Sequence, residues 1–123
     1  MHGGTVAFYS APTGPTGLWK RQVLDESLKD GHALVVNDFL GTGSHQIVAG
    51  WRGMNPKGEP GVRLFTPLDE AGQQWRTSEI SKEAVAIEDI KSADLDGDGK
   101  PDLVLAGRQT KNLQILWNQT PKP

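Results

Sequence analysis

The stretch "DLDGDGKPDLVLAGR", residues 94–108, has an earlier counterpart in "DFLGTGSHQIVAGWR", residues 38–52, and the relation between the two decides the fold. Asp38 and Asp94 stand 56 residues apart, as do Gly41 and Gly97, Gly43 and Gly99, Val48 and Val104, and Arg52 and Arg108. The same offset links Val6 to Val62 and Trp19 to Trp75, so residues 6–52 map onto 62–108 without a gap. Conservative pairs fill the register: Tyr9 with Phe65, Ser10 with Thr66, Leu24 with Ile80, Leu34 with Ile90, and Ile47 with Leu103. A fixed offset shared by Trp, Asp and two Gly marks an internal repeat. The first copy covers residues 6–61 and the second 62–117 of a single 1–123 segment.

Each copy holds four strand-like runs between turn signals. In the second they read "VRLFTP", "WRTSEIS", "AIEDIKSADL" and "DLVLAGR", and "LQILWN" begins the next copy, with Leu113, Ile115 and Trp117 alternating against Gln114 and Leu116. The connector "GMNPKGEPG" is longer than its counterpart "QTKN", so the repeat varies at one hairpin loop. Fifteen glycines and eight prolines punctuate these runs and disfavour helix. The best helical candidate, "VLDESLKDGHAL", reads as a strand end, a polar loop and a strand start.

A period of this length with four antiparallel strands predicts an all-β fold of β-propeller blades. Large side chains at fixed positions, Trp19 and Trp75, are expected to fill the space between stacked sheets. The nine runs amount to about two blades, entering and leaving on a third strand. Propellers close with roughly four to eight blades, so the expected partners are other blades, from a longer parent chain or from further copies in a homo-oligomer. An open pair would otherwise expose strand edges and apolar faces.

Composition narrows the function. Thirteen Lys plus Arg against fifteen Asp plus Glu give a formal charge of -2. That charge argues against nucleic-acid binding. No run approaches the roughly 20 apolar residues of a membrane span, and the N-terminus "MHGGTV" lacks the pattern of a signal peptide. Cysteine is absent, which excludes disulfides, thiolate metal sites and a Cys nucleophile.

The acidic loop carries the sharpest chemistry. Asp94, Asp96, Asp98 and Asp102 offer carboxylates and Lys100 a main-chain carbonyl, a donor set suited to Ca2+, which takes six to eight oxygens at about 2.3–2.6 Å. Gly97 and Gly99 supply the positive φ of a tight curl. An EF-hand would need a ligand at Leu105 and an exiting helix after Pro101, so a hairpin cation site fits better. The alternative is a bare turn in which the aspartates cap backbone N–H groups. In the first copy Leu40, Thr42 and Gln46 replace the acids, so that loop is expected to fold without metal.

"ADLDGDGKPDLVLAG" resembles the FG-GAP/VCBS repeat of integrin α-subunit and bacterial secreted propellers. That resemblance implies Ca2+ held by Asp94, Asp96, Asp98, the Lys100 carbonyl and Asp102, and an extracellular or periplasmic location. It covers both copies, although only the second has the full acidic motif. "DGHALVVNDFLGTG", "IVAGWRG" and "AGRQTKNLQILWN" also look like the propeller of bacterial VCBS proteins related to aldos-2-ulose dehydratases, without a counterpart of their cupin parts.

His32 and Glu88 share one repeat position, with Asp89 beside Glu88, and Arg52 and Arg108 share another. In a propeller the first position faces the channel mouth. There the residues either serve a metal, acid–base chemistry or a carbohydrate or protein ligand, or hold neighbouring blades in register. For the arginines an inter-blade salt bridge competes with a sugar or carboxylate contact. His45 is expected to be exposed. The expected function is therefore a calcium-stabilised, non-catalytic binding or scaffold module. The alternative is part of a secreted carbohydrate-active lyase or dehydratase with its site at the channel mouth.

Overall fold

The computed structural model describes residues 3–53, 59–82 and 84–121, so residues 54–58 of the long connector lie outside the described residues. The chain is all-β, with nine strands in three antiparallel sheets and no helix among the described residues. The first sheet pairs β1 (Val6–Ser10) with β2 (Lys20–Asp25). A four-stranded meander follows: β3 (Gly31–Asn37), β4 (Gln46–Trp51), β5 (Gly61–Pro67) and β6 (Trp75–Lys82). The third sheet runs β7 (Ile87–Ala93), β8 (Asp102–Gly107) and β9 (Asn112–Leu116). In every sheet, neighbours in space are neighbours in sequence.

The pairing has the periodicity of the sequence. In the β3–β4 hairpin Leu34 faces Ala49 and Asn37 faces Gln46, and in the β7–β8 hairpin Ile90 faces Leu105 and Ala93 faces Asp102. Each pair is displaced by the same 56 positions, and so is the irregularity between Gly31 and Ala33, which recurs between Ile87 and Asp89. The outer hairpins agree as well. The register slips between Val6 and Ala7 in β1–β2, and between Val62 and Arg63 in β5–β6.

Alternation of side chains along a strand assigns the two faces of the middle sheet to two cores. Ile47, Ala49, Trp51 and Phe65 pack with Val6, Leu24 and Leu28 from the first sheet and the loop after it. On the opposite face Val48, Val62, Val35 and Leu64 meet Ile87, Ile90, Leu103 and Leu105 from the third sheet. Coverage on both faces is why all six residues of "QIVAGW" are buried. Each fully buried Val, Leu, Ile or Phe contributes about 1.5–3 kcal/mol relative to exposure, so the middle sheet is the energetic centre.

Burial diverges where the flanking sheets are short of strands. Ile90 is 1% exposed beneath the middle sheet, whereas Leu34, 56 positions earlier, is 53% exposed. The first sheet has only two strands, and Leu34 and Val36 are left facing solvent. Trp75 fills its inter-sheet position, tilted against Phe8 at 5.4 Å between ring centroids, with its indole N–H on the Gly72 carbonyl. Trp19 is 62% exposed, against expectation, because no described sheet lies beyond it. On β9 the face turned to the core carries Leu116, while Leu113, Ile115 and, just past the strand, Trp117 are exposed.

Candidate metal centre

The acidic loop joins β7 to β8 and curls back on itself at Gly97 and Gly99, with φ of 79° and 86°. Asp94 organises the curl: one carboxylate oxygen accepts from the Gly97 and Asp98 N–H groups at 2.8 and 3.1 Å, the other from Gly99 at 2.9 Å. Asp96 accepts from the Asp98 N–H at 3.1 Å. Asp102 opens β8 and is 1% exposed, its two oxygens taking the Leu95 N–H at 2.9 Å and the Asn118 N–H at 2.8 Å.

These bonds bring one carboxylate oxygen each from Asp94, Asp96 and Asp102 within 4.8 Å of one another. Oxygens bound to one cation at about 2.3–2.6 Å lie at such separations. Ionised carboxylates that close repel by about 1 kcal/mol per pair in water and by roughly 3–4 kcal/mol at an effective dielectric near 20. A cation reverses the sign of that energy. The three residues could therefore hold a metal ion.

Asp98 stands differently. One oxygen accepts from the Lys100 N–H at 2.9 Å, and the other pairs with the Lys100 ammonium at 2.9 Å. That ammonium also donates to the carbonyls of Asn118 and Thr120, at 3.2 and 3.0 Å. Three of the four predicted carboxylates thus converge, and the fourth is turned to a neighbouring cation.

The first loop makes the same curl with different chemistry. Gly41 and Gly43 adopt φ of 66° and 80°, and Asp38 accepts from the Thr42 and Gly43 N–H groups at 3.0 and 2.7 Å. Burial pushes the Asp38 carboxyl up, but the N–H groups of Gly43, Thr42 and Gly41 and the Gln46 amide outweigh it and hold it below the ordinary carboxylate range. Gln46, at the position of Asp102, is completely buried. Its carbonyl accepts from the Leu40 N–H at 3.0 Å, and its NH2 donates to the Ser44 carbonyl and the Thr42 hydroxyl. Ser44 and Thr42 correspond to Lys100 and Asp98. An amide donor thus serves the oxygens whose counterparts were predicted as cation ligands.

At the opposite end of the same strands, His32, Arg52 and Glu88 meet. The Arg52 guanidinium lies 2.8 Å from Glu88 and 2.7 Å from His32 Nε2, and His32 lies 3.4 Å from the other Glu88 oxygen. Asp30 stands 4.0 Å from Arg52 and also receives its backbone N–H. Arg52 follows β4 and Glu88 belongs to β7, so the pair ties the middle sheet to the third. Asp89 is outside this cluster, capping the Ile90 N–H and pairing with Lys91 at 3.4 Å. Arg108 is exposed and borders a shallow depression with Glu88 and Lys111.

Two further ties escaped the sequence reading. Arg63 on β5 reaches Asp25 on β2 at 2.6 Å and the Ser27 hydroxyl at 2.7 Å, and lies over the Trp51 ring. Burial acts to raise the Asp25 carboxyl, but Ser27 and Arg63 outweigh it and lower it. Asn118 follows β9 and donates from its side chain to the Phe39 carbonyl of the first loop at 2.7 Å. Neither residue has a like counterpart 56 positions away, whereas Gln46 aligns at that offset with Asp102.

No protein-family model, curated protein or solved structure matches the chain.

Proposed function

We propose that the chain is a calcium-stabilised β-propeller segment of the FG-GAP/VCBS kind, a binding or scaffold module rather than a catalyst. The observation that carries this reading is the convergence of Asp94, Asp96 and Asp102 on a loop whose sibling makes the same curl with an amide at its centre. Ca2+ is the cation that best suits an all-oxygen carboxylate and carbonyl set on a flexible loop. Support for blades comes from the up-and-down pairing, the face-to-face stacking and the shared register 56 residues apart. The solvent-facing Leu34, Val36, Leu113 and Ile115 are then the surfaces that further blades cover, whether from a longer parent chain or from other copies. An extracellular or periplasmic setting, where calcium is plentiful, goes with the same reading.

The carbohydrate-active alternative would draw on His32, Glu88 and Arg52. These groups already engage one another across two sheets, which favours the structural role. The test is thermal unfolding in calcium and in chelator. At about 100 times Kd the ion should add roughly 2.7 kcal/mol, and identical transitions in the two conditions would remove the calcium assignment.

A further inference from the structure

We infer that Asn118 is a positioning residue that couples the cation loop to the neighbouring sheet, so that cation binding and inter-sheet cohesion reinforce each other. The inference rests on the metal reading above and adds to it a route out of the loop. The Asn118 backbone N–H holds one oxygen of Asp102, the buried member of the converging carboxylates. From the same residue, the side-chain NH2 donates to the Phe39 carbonyl at 2.7 Å and to the Pro101 carbonyl at 3.1 Å. Its side-chain oxygen accepts from the Thr120 N–H at 3.1 Å. Phe39 sits in the first loop, between β3 and β4, and its ring belongs to the core between the middle and third sheets. One side chain therefore spans two loops that are 56 residues apart in sequence and lie on different sheets.

A ligand carboxylate contributes most when its second oxygen and its orientation are fixed by an outer partner. Releasing the Asn118 side chain from Phe39 frees the backbone that orients Asp102, and the cation must then order that segment on binding. By linkage, whatever Asn118 adds to cation affinity the cation returns to the Phe39 contact. Lys100 reinforces the arrangement through the carbonyls of Asn118 and Thr120.

The experiment compares wild-type protein with Asn118→Leu, using Ca2+ alone as the probe. Calorimetry reads the affinity, and hydrogen exchange reads the amides of residues 38–43. The variant should bind calcium roughly five- to tenfold more weakly, the low end of known couplings between sites. Calcium should slow exchange in the first loop of the wild type and leave the variant's first loop unchanged. Should Asn118→Leu fail to fold, Asn118→Ser, too short to reach Phe39, takes its place. Equal affinity in wild type and variant, with calcium-dependent slowing retained in both, would overturn the coupling and leave the metal site standing. Absence of calcium binding by the wild type would overturn the metal reading and the coupling with it.

Discussion

Replacing Gln46 with leucine keeps most of a buried side chain's volume and removes its amide, which isolates the role assigned to that amide in the first loop. The amide makes two short hydrogen bonds, from the Leu40 N–H at 3.0 Å and to the Ser44 carbonyl, and a longer one to the Thr42 hydroxyl at 3.4 Å. Ser44 and Thr42 are exposed and regain water, so they account for little beyond the net bond. The Leu40 N–H is part-buried and loses its acceptor. At about 1 kcal/mol per net bond, with a similar penalty for a stranded donor, the loss is about 2–3 kcal/mol. For a domain of this size that lowers Tm by roughly 6–12 °C. Urea and thermal unfolding followed by circular dichroism measure it. The loss should be present in chelator as well as in saturating calcium, because the amide does in this loop what a cation would do in the other. A loss below about 0.5 kcal/mol, or one seen only with calcium, would refute the comparison between the two loops.

Other consequences are open to measurement. Asp25 and Asp38 have carboxyls lowered in the folded state, so their stabilisation is complete above the unfolded value near 4 and is lost as pH falls through the folded values. Urea midpoints should therefore drop steeply below about pH 4. Asp38→Asn should flatten that drop; a variant as acid-sensitive as the wild type would contradict the hydrogen-bond explanation. Arg52→Met should cost about 1–3 kcal/mol in thermal unfolding, because it takes the guanidinium from Glu88, 31% exposed between two sheets, and leaves it the more distant His32 at 3.4 Å. Adding Glu88→Gln should cost little more, since the pair acts as a unit, and full additivity would show that the two do not stabilise each other.

Several strand boundaries can be read directly in the sequence. "DLVLAGR" contains β8 and "WRTSEIS" nearly coincides with β6, because a cluster of Gly, Pro and Asp stands before each run where the chain must turn. The curls at Asp38 and Asp94 were legible from their paired glycines, since positive φ favours glycine. Side-chain direction was less legible. Asp98 turns to Lys100, whose ammonium is anchored by carbonyls of Asn118 and Thr120 some 20 residues away, and no local spacing encodes that. Alternation in "LQILWN" identified a strand but not which face meets the core, because that depends on which sheet stands opposite. Trp19 and Trp75, 56 positions apart, differ in burial for the same reason.

The most direct test of the central claim is a calorimetric titration of the chain with Ca2+. The account predicts one ion per chain, with Kd between about 0.1 and 1 mM as in extracellular calcium modules, and no binding after Asp102→Ala. Two equivalent ions per chain, no binding at about ten times that range, or unchanged binding in the variant would contradict it.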